Sequence, residues 1–145
     1  MSLRTLSGAL VAAMLVTSGA RAAPEAPKSP VPWETLASAT EAVSTAGKSV
    51  EFGSPVISLE SKIVTIKGFR VALEQRTHFL VASKPSDCPD HIEDGPKSYV
   101  EVFSKKPVQP TFGKPLTVSG KLQLLSNDPG GVYYRLVDAE LVSVD

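Results

Sequence analysis

The sequence predicts an all-β domain: a small five-stranded antiparallel barrel of the OB type, preceded by one short helix. Three observations predict it. Five apolar stretches between residues 63 and 144 follow a period of two, as strands with one buried face do. Gly, Pro, Asn and Asp punctuate them, and no stretch of helical period separates neighbours. Two of the strands carry a glycine in mid-run, at Gly68 and Gly120, as strongly coiled strands of a small closed barrel do.

The chain has 145 residues, enough for one domain. Its first stretch stands apart. Arg4 precedes an apolar run from Ala9 to Val16, and small residues lead to Ala20-Arg21-Ala22. A charged start, a short apolar core and small residues at the end form a secretory signal, removed after residue 22. The apolar run is too short to span a bilayer, which takes about 20 residues. Periplasmic location follows as the expectation, with no membrane insertion once the signal is gone. Residues 23–32, APEAPKSPVP, form a proline-rich linker. Residues 33–145 remain as a single OB-like barrel domain.

Within that domain Trp33, Leu36, Thr40 and Val43 have the spacing of a short amphipathic helix, with Gly47 as its stop. The first strand is IVTIKGFRVALE, residues 63–74. Val64 and Ile66 share one parity, whereas Phe69, Val71 and Leu73 share the other. A bulge at or next to Gly68 would restore a single apolar face. Residues 77–83 and 98–104 supply the second and third strands. Leu116, Val118, Leu122 and Leu124 alternate along the fourth. The turn SNDPGG introduces the last, VYYRLVDAELVSV, residues 132–144.

Composition limits the function. The whole chain carries 15 basic and 15 acidic residues. Such a balance gives no electrostatic hold on nucleic acid or anionic lipid. The segments HFLVAS and YVEVFS, on the barrel face that would read single strands, interleave no basic residues with aromatics. The single cysteine, Cys88, excludes an internal disulfide.

One loop concentrates chemistry: DCPDHIEDG, residues 87–95. Cys88 and His91, three apart, can place two soft ligands on one ion, and Asp90 is the nominated third; Asp87, Glu93 and Asp94 stand near. Zinc or copper is the metal such donors suit. The same residues also read as a solvated turn, or as a reactive thiol beside a base. His78, at the start of the second strand, reads as a structural histidine. Tyr133, Tyr134 and Arg135 form a candidate protein-contact face, because Tyr and Arg are enriched at interfaces.

The motif order FGSPV, VTIKGFRVALE, HFLVA, the Cys-Pro pair, GP, VEV, LTVSGKL and GVYYRLVDAEL, behind Trp33 and Leu36, resembles the exported bacterial family called domain of unknown function 3299. The likeness runs over roughly residues 33–142. It implies a small periplasmic β-rich protein, OB-like, beside ABC-type export or metal-uptake systems. It also implies a cysteine-bearing loop after the second strand, often with a second cysteine or a histidine; Cys88 and His91 hold those positions. A second cysteine is absent, which argues against dithiol redox work. The expectation is therefore an exported binding or accessory protein of an envelope transport or metal-handling system, with no catalysis of its own. Two alternatives stand beside it: a ligand-free protein-interaction module, and an enzyme or thiol-exchange protein using Cys88.

Overall fold

The computed structural model describes residues 29–71 and 75–145. The expected signal segment and most of the linker lie outside the described residues.

The chain opens with α1 (Trp33–Leu36), a single turn, and a hairpin of β1 (Thr40–Ser44) and β2 (Gly47–Glu51). A second single turn, α2 (Ser54–Ile57), leads into β3 (Ile63–Arg70), β4 (His78–Ala82), β5 (Tyr99–Ser104), β6 (Pro115–Leu124) and β7 (Tyr134–Val144). The last five close a barrel in the order β3-β4-β5-β7-β6, with β6 returning to β3. That is the Greek-key order of an OB-type barrel. No helix among the described residues is long and apolar enough to cross a membrane.

Three expectations need correction. First, the barrel is mixed rather than antiparallel. β7 lies between β5 and β6, antiparallel to β6 and parallel to β5. A fifth strand inserted between the third and the fourth must run with one of them.

Second, the helix expected over residues 33–46 ends at Leu36, and residues 40–51 form the hairpin. Thr40 and Val43 favour a strand, and Gly47 opens β2 directly after the two-residue turn 45–46 at φ +118, a conformation glycine adopts freely. Val43, read as part of an apolar helical stripe, is 75 % exposed. The N-terminal segment instead covers β3. The Val31 N–H donates to the Thr65 carbonyl at 2.8 Å, and the Trp33 indole N–H to the Lys67 carbonyl at 2.8 Å.

Third, β3 has no bulge at Gly68. Its pairing with β6 runs in unbroken register from Ile63↔Lys121 to Phe69↔Pro115. The parity switch has another cause. Val64 and Ile66 fill the barrel, whereas Val71 points outward into a second cluster with Leu80 and Ala82, covered by Ile92 and Tyr99. β3 and the residue that follows it thus bury apolar side chains on opposite faces. Gly68 is required by closeness: a Cβ there would sit 2.4 Å from the Ala82 carbonyl oxygen. The bulges that coil the barrel lie in β7. Its register with β6 shifts twice, and Asp138, at φ +51, occupies one of the shifts opposite Gly120.

Inside the barrel Ile66, Phe79, Val81, Val100, Val102, Leu116, Leu122, Tyr134 and Leu136 are fully buried. Leu36 of α1 and Val56 of α2 are equally buried and join the same cluster. Each such side chain contributes about 1.5–3 kcal/mol relative to exposure. This core fixes the two surfaces where polar groups gather.

Candidate functional site

The segment from Ser83 to Ser98 connects β4 to β5. Its base is closed by the Ser83 N–H donating to the Ser98 carbonyl at 2.9 Å. The buried Ser98 hydroxyl lies within hydrogen-bond reach of the Glu93 and Gly95 carbonyls, at 2.5 and 2.7 Å. Ile92 packs on the outer cluster of Val71, Leu80 and Ala82. The segment is therefore pinned at its base and at Ile92, and the part before Ile92 projects.

That projecting part is a 3-10 turn, Pro89–His91, with Cys88 at its N-cap. The fixed φ of Pro89 suits the first position of a helical turn. The His91 N–H donates to the Cys88 carbonyl at 3.2 Å, and the Ser86 hydroxyl donates to the same carbonyl at 2.8 Å. One turn of 3-10 helix eclipses side chains three apart. Cys88 Sγ and His91 Nδ1 accordingly meet at 3.0 Å. The pair can share a proton two ways: the thiol donates to a neutral ring, or a protonated ring donates to the thiolate. The same two atoms can also reach one cation. With bonds of about 2.3 Å to sulfur and about 2.0 Å to nitrogen, this separation subtends roughly a right angle at the metal.

The structure brings Cys88 and His91 together. Asp90 lies in the turn between them, yet no group of three or more His, Cys, Asp or Glu side chains assembles for a metal among the described residues. Two of the nearby carboxylates are engaged elsewhere. Lys84 Nζ lies 2.7 Å from Glu93 Oε2 and 3.5 Å from Asp94 Oδ2. The Glu93 hydrogen bond, its charge and that of Asp94 raise the Lys84 pKa.

A second constellation spans the outer faces of β4, β5 and β7. Glu101 is 8 % exposed. Its carboxylate faces His78 Nε2 at 2.9 Å through one oxygen and accepts from Arg135 Nε–H at 2.5 Å through the other. Arg135 Nη2 also lies 3.5 Å from Asp128 Oδ1 in the β6–β7 turn. Asp128 in turn accepts the Gly130 and Val132 N–H groups at 2.9 and 3.3 Å. The Phe103 ring stacks on His78 at 4.3 Å, and the Arg135 guanidinium lies 5.5 Å from its centroid. His78 is thus a structural histidine with a carboxylate partner. Sequence reasoning missed the network because its members are 23 and 34 residues apart and meet only through strand register. The visible signal was Glu101 itself, a lone acid inside the apolar run YVEVF.

Tyr133 and Tyr134 do not form the open contact face that their sequence suggests. Tyr134 is fully buried, and its hydroxyl donates to the Leu36 carbonyl at 2.6 Å. The Tyr133 hydroxyl donates to Glu41 Oε1 at 2.6 Å. Together they fasten α1 and the β1–β2 hairpin to the barrel, and Arg135 is held by Glu101 and Asp128. Burial, joined by the bond to Glu41, pushes the Tyr133 pKa up to about 12; burial also raises that of Tyr134.

Two recesses flank these groups. One of about 400 Å³ lies between the hairpin and the β6–β7 turn, lined by Glu41, Lys48, Val50, Asp128 and Tyr133. Another, of about 350 Å³, is lined by Phe69, Arg70, Asp87, Pro110 and Phe112.

No family model matches the chain, and no curated protein matches it. Among solved structures it is similar to a crystal structure of a DUF3299 family protein (PA4066) from Pseudomonas aeruginosa PAO1. The two are 17 % identical, and the match covers 66 % of this chain and 69 % of that one, with a TM-score of 0.43. That neighbour bears the family name that the motif order resembles.

Proposed function

We propose that this chain is an exported binding protein of the bacterial envelope, serving a transport or metal-handling system. In this reading the Cys88–His91 turn takes a soft cation, zinc or copper(I). The observation that supports the reading is the 3.0 Å contact between Cys88 Sγ and His91 Nδ1 on a projecting turn. Two donors leave the remaining coordination open, so a second molecule completes the site. An open, shared site suits a hand-over, whereas a closed four-ligand site suits permanent structural metal. An ABC-type transport system, implied by the family resemblance, is the partner. Catalysis is not assigned. A nucleophilic cysteine needs donors for the developing charge and an orienting group for its base.

The test is competition of the mature protein against a chromophoric chelator for zinc and for copper(I). Binding in the micromolar range, lost in Cys88→Ser and weakened at least tenfold in His91→Ala, is the expected result. Failure of the wild type to compete for either ion would overturn the reading. Thiol exchange is a second reading, supported by the same contact. It predicts slower alkylation of Cys88 in His91→Ala than in the wild type, because the variant lacks the ring nitrogen that stands 3.0 Å from the sulfur and can take the thiol proton.

A further inference from the structure

Arg70 carries a positive charge that no carboxylate among the described residues answers. It ends β3, half-buried, with its guanidinium 4.8 Å from the centroid of the Phe79 ring. Two of its five N–H donors are used: Nη1 donates to the Val108 carbonyl at 2.6 Å, and Nη2 to the Gln75 carbonyl at 2.8 Å. Nε is buried without an acceptor, alone in this among the buried side-chain nitrogens and oxygens of the described residues. The ion pairs of those residues engage Lys48, Lys67, His78, Lys84, Lys105 and Arg135, and leave Arg70 out. Burial, and then the charge of Arg76, lower its pKa. A charge withdrawn from water is costly unless it is paired, so a counter-ion is missing here.

Arg70 lines an open recess of about 350 Å³, within the range of small-ligand sites. Three kinds of chemistry meet in its walls. Arg70 supplies a cation. Asp87, an exposed residue of the β4–β5 connection, supplies an anion that is not paired with Arg70. Phe69, Pro85, Pro110 and Phe112 supply apolar surface. Phe112 is 93 % exposed, and its φ of +49 is a left-handed conformation unfavourable for a bulky side chain. The turn that holds it is fixed: Thr111 is buried, and the Lys114 N–H donates to its carbonyl at 3.0 Å. Residues held in such conformations cluster at ligand clamps. Asp145 lies at the same end of the barrel, where its N–H donates to the Pro115 carbonyl, but its carboxylate is engaged by Lys67.

We propose that this recess binds a small zwitterion with an apolar body, a free amino acid of the leucine or phenylalanine kind. Its carboxylate accepts from guanidinium hydrogens that Val108 and Gln75 leave free, its ammonium faces Asp87, and its side chain lies against Phe69 and Phe112. The pairing of wall charges selects this class. A plain anion would answer Arg70 but meet Asp87 as a like charge, and a plain amine would do the reverse. A carboxylate on a guanidinium is also the geometry that arginine favours.

Isothermal titration calorimetry of the mature protein tests it, in buffer containing a chelator so that no metal at Cys88 takes part. Phenylalanine and leucine should bind saturably. 3-Phenylpropionate, which lacks the ammonium, and 2-phenylethylamine, which lacks the carboxylate, should each bind at least tenfold more weakly than phenylalanine. Asp87→Asn should weaken phenylalanine about tenfold and bring it level with phenylpropionate. Phe112→Ala should weaken both amino acids about tenfold. Arg70 is left intact, because its bonds to Val108 and Gln75 hold the fold. Asp87 and Phe112 are exposed, so urea midpoints of their variants should match the wild type. No saturable heat with either amino acid would overturn the proposal. So would phenylpropionate or phenylethylamine binding as tightly as phenylalanine, or a wild-type affinity in either variant.

Discussion

Replacing Gly68 by alanine tests whether β3 and β4 approach as closely as the barrel requires. The new Cβ would lie 2.4 Å from the Ala82 carbonyl oxygen, 2.9 Å from Val81 Cγ1 and 3.0 Å from Trp33 Cζ2. Side chains can rotate away, but the Ala82 carbonyl is backbone beside the Phe69↔Ala82 pair. Relief means separating the strands or displacing the indole that is bonded to the Lys67 carbonyl. Overpacking of a fitted interior costs typically 1–3 kcal/mol, and a clash with backbone falls at the upper end. Against this, alanine in a strand interior gains about 0.5–1 kcal/mol over glycine. The net loss is about 2–2.5 kcal/mol. Urea unfolding followed by the fluorescence of Trp33, the only tryptophan, reads it directly. Gly120→Ala, whose Cβ would meet the Val137 carbonyl oxygen at 2.9 Å, should lose less. Gly53→Ala, with 3.5 Å to Ser38 Oγ, should be near neutral. If Gly68→Ala unfolds at the wild-type midpoint, or Gly53→Ala is the more damaging, the strand approach described here is wrong.

Two further outcomes are expected. Glu101→Ala removes the shared acceptor of His78 and Arg135 and should destabilise the domain by about 2–3 kcal/mol, because a nearly buried ion pair loses one member while its partners keep some solvent. Adding Arg135→Ala to it should recover part of that loss in the same urea titration, and a fully additive pair would refute the coupling. Stability should also fall in alkali. Below pH 10 Tyr133 is neutral in folded and unfolded chains alike and its contribution is complete. Above pH 10 the unfolded chain ionises first, so stability declines up to the folded value of about 12. Tyrosinate absorbance titrated alongside circular dichroism checks this; ionisation of Tyr133 at its ordinary value with structure retained would contradict the burial argument.

The strands were legible because alternation is local: a residue and its neighbours two away share a face whatever the topology. The i, i+3 meeting of Cys88 and His91 was legible for the same reason. Where the sequence misled, the cause was a choice between two faces. Val71 looked displaced because a barrel was credited with one buried side, yet Ile92 covers a second cluster outside it. The N-terminal helix was overread because Trp33 and Leu36 begin a helical spacing that Thr40 and Val43 extend by coincidence. The Glu101 network stayed hidden because a parallel pair of strands, β5 with β7, sets its register. Neither member of that pair states its partner in its own pattern.

The position of β7 also governs the order in which the molecule can be made. It is the last strand of the chain, and it fills the slot between β5 and β6, both of which emerge earlier. Until Tyr134–Val144 is available, β5 and β6 each keep an open edge and the sheet cannot become a ring. Ring closure therefore waits for the last of the five barrel strands, through contacts distant in sequence that form slowly. Under the proposed export, the emerging chain has no finished barrel to undo. A version shortened before Tyr134 should leave two sticky borders instead of a smaller domain.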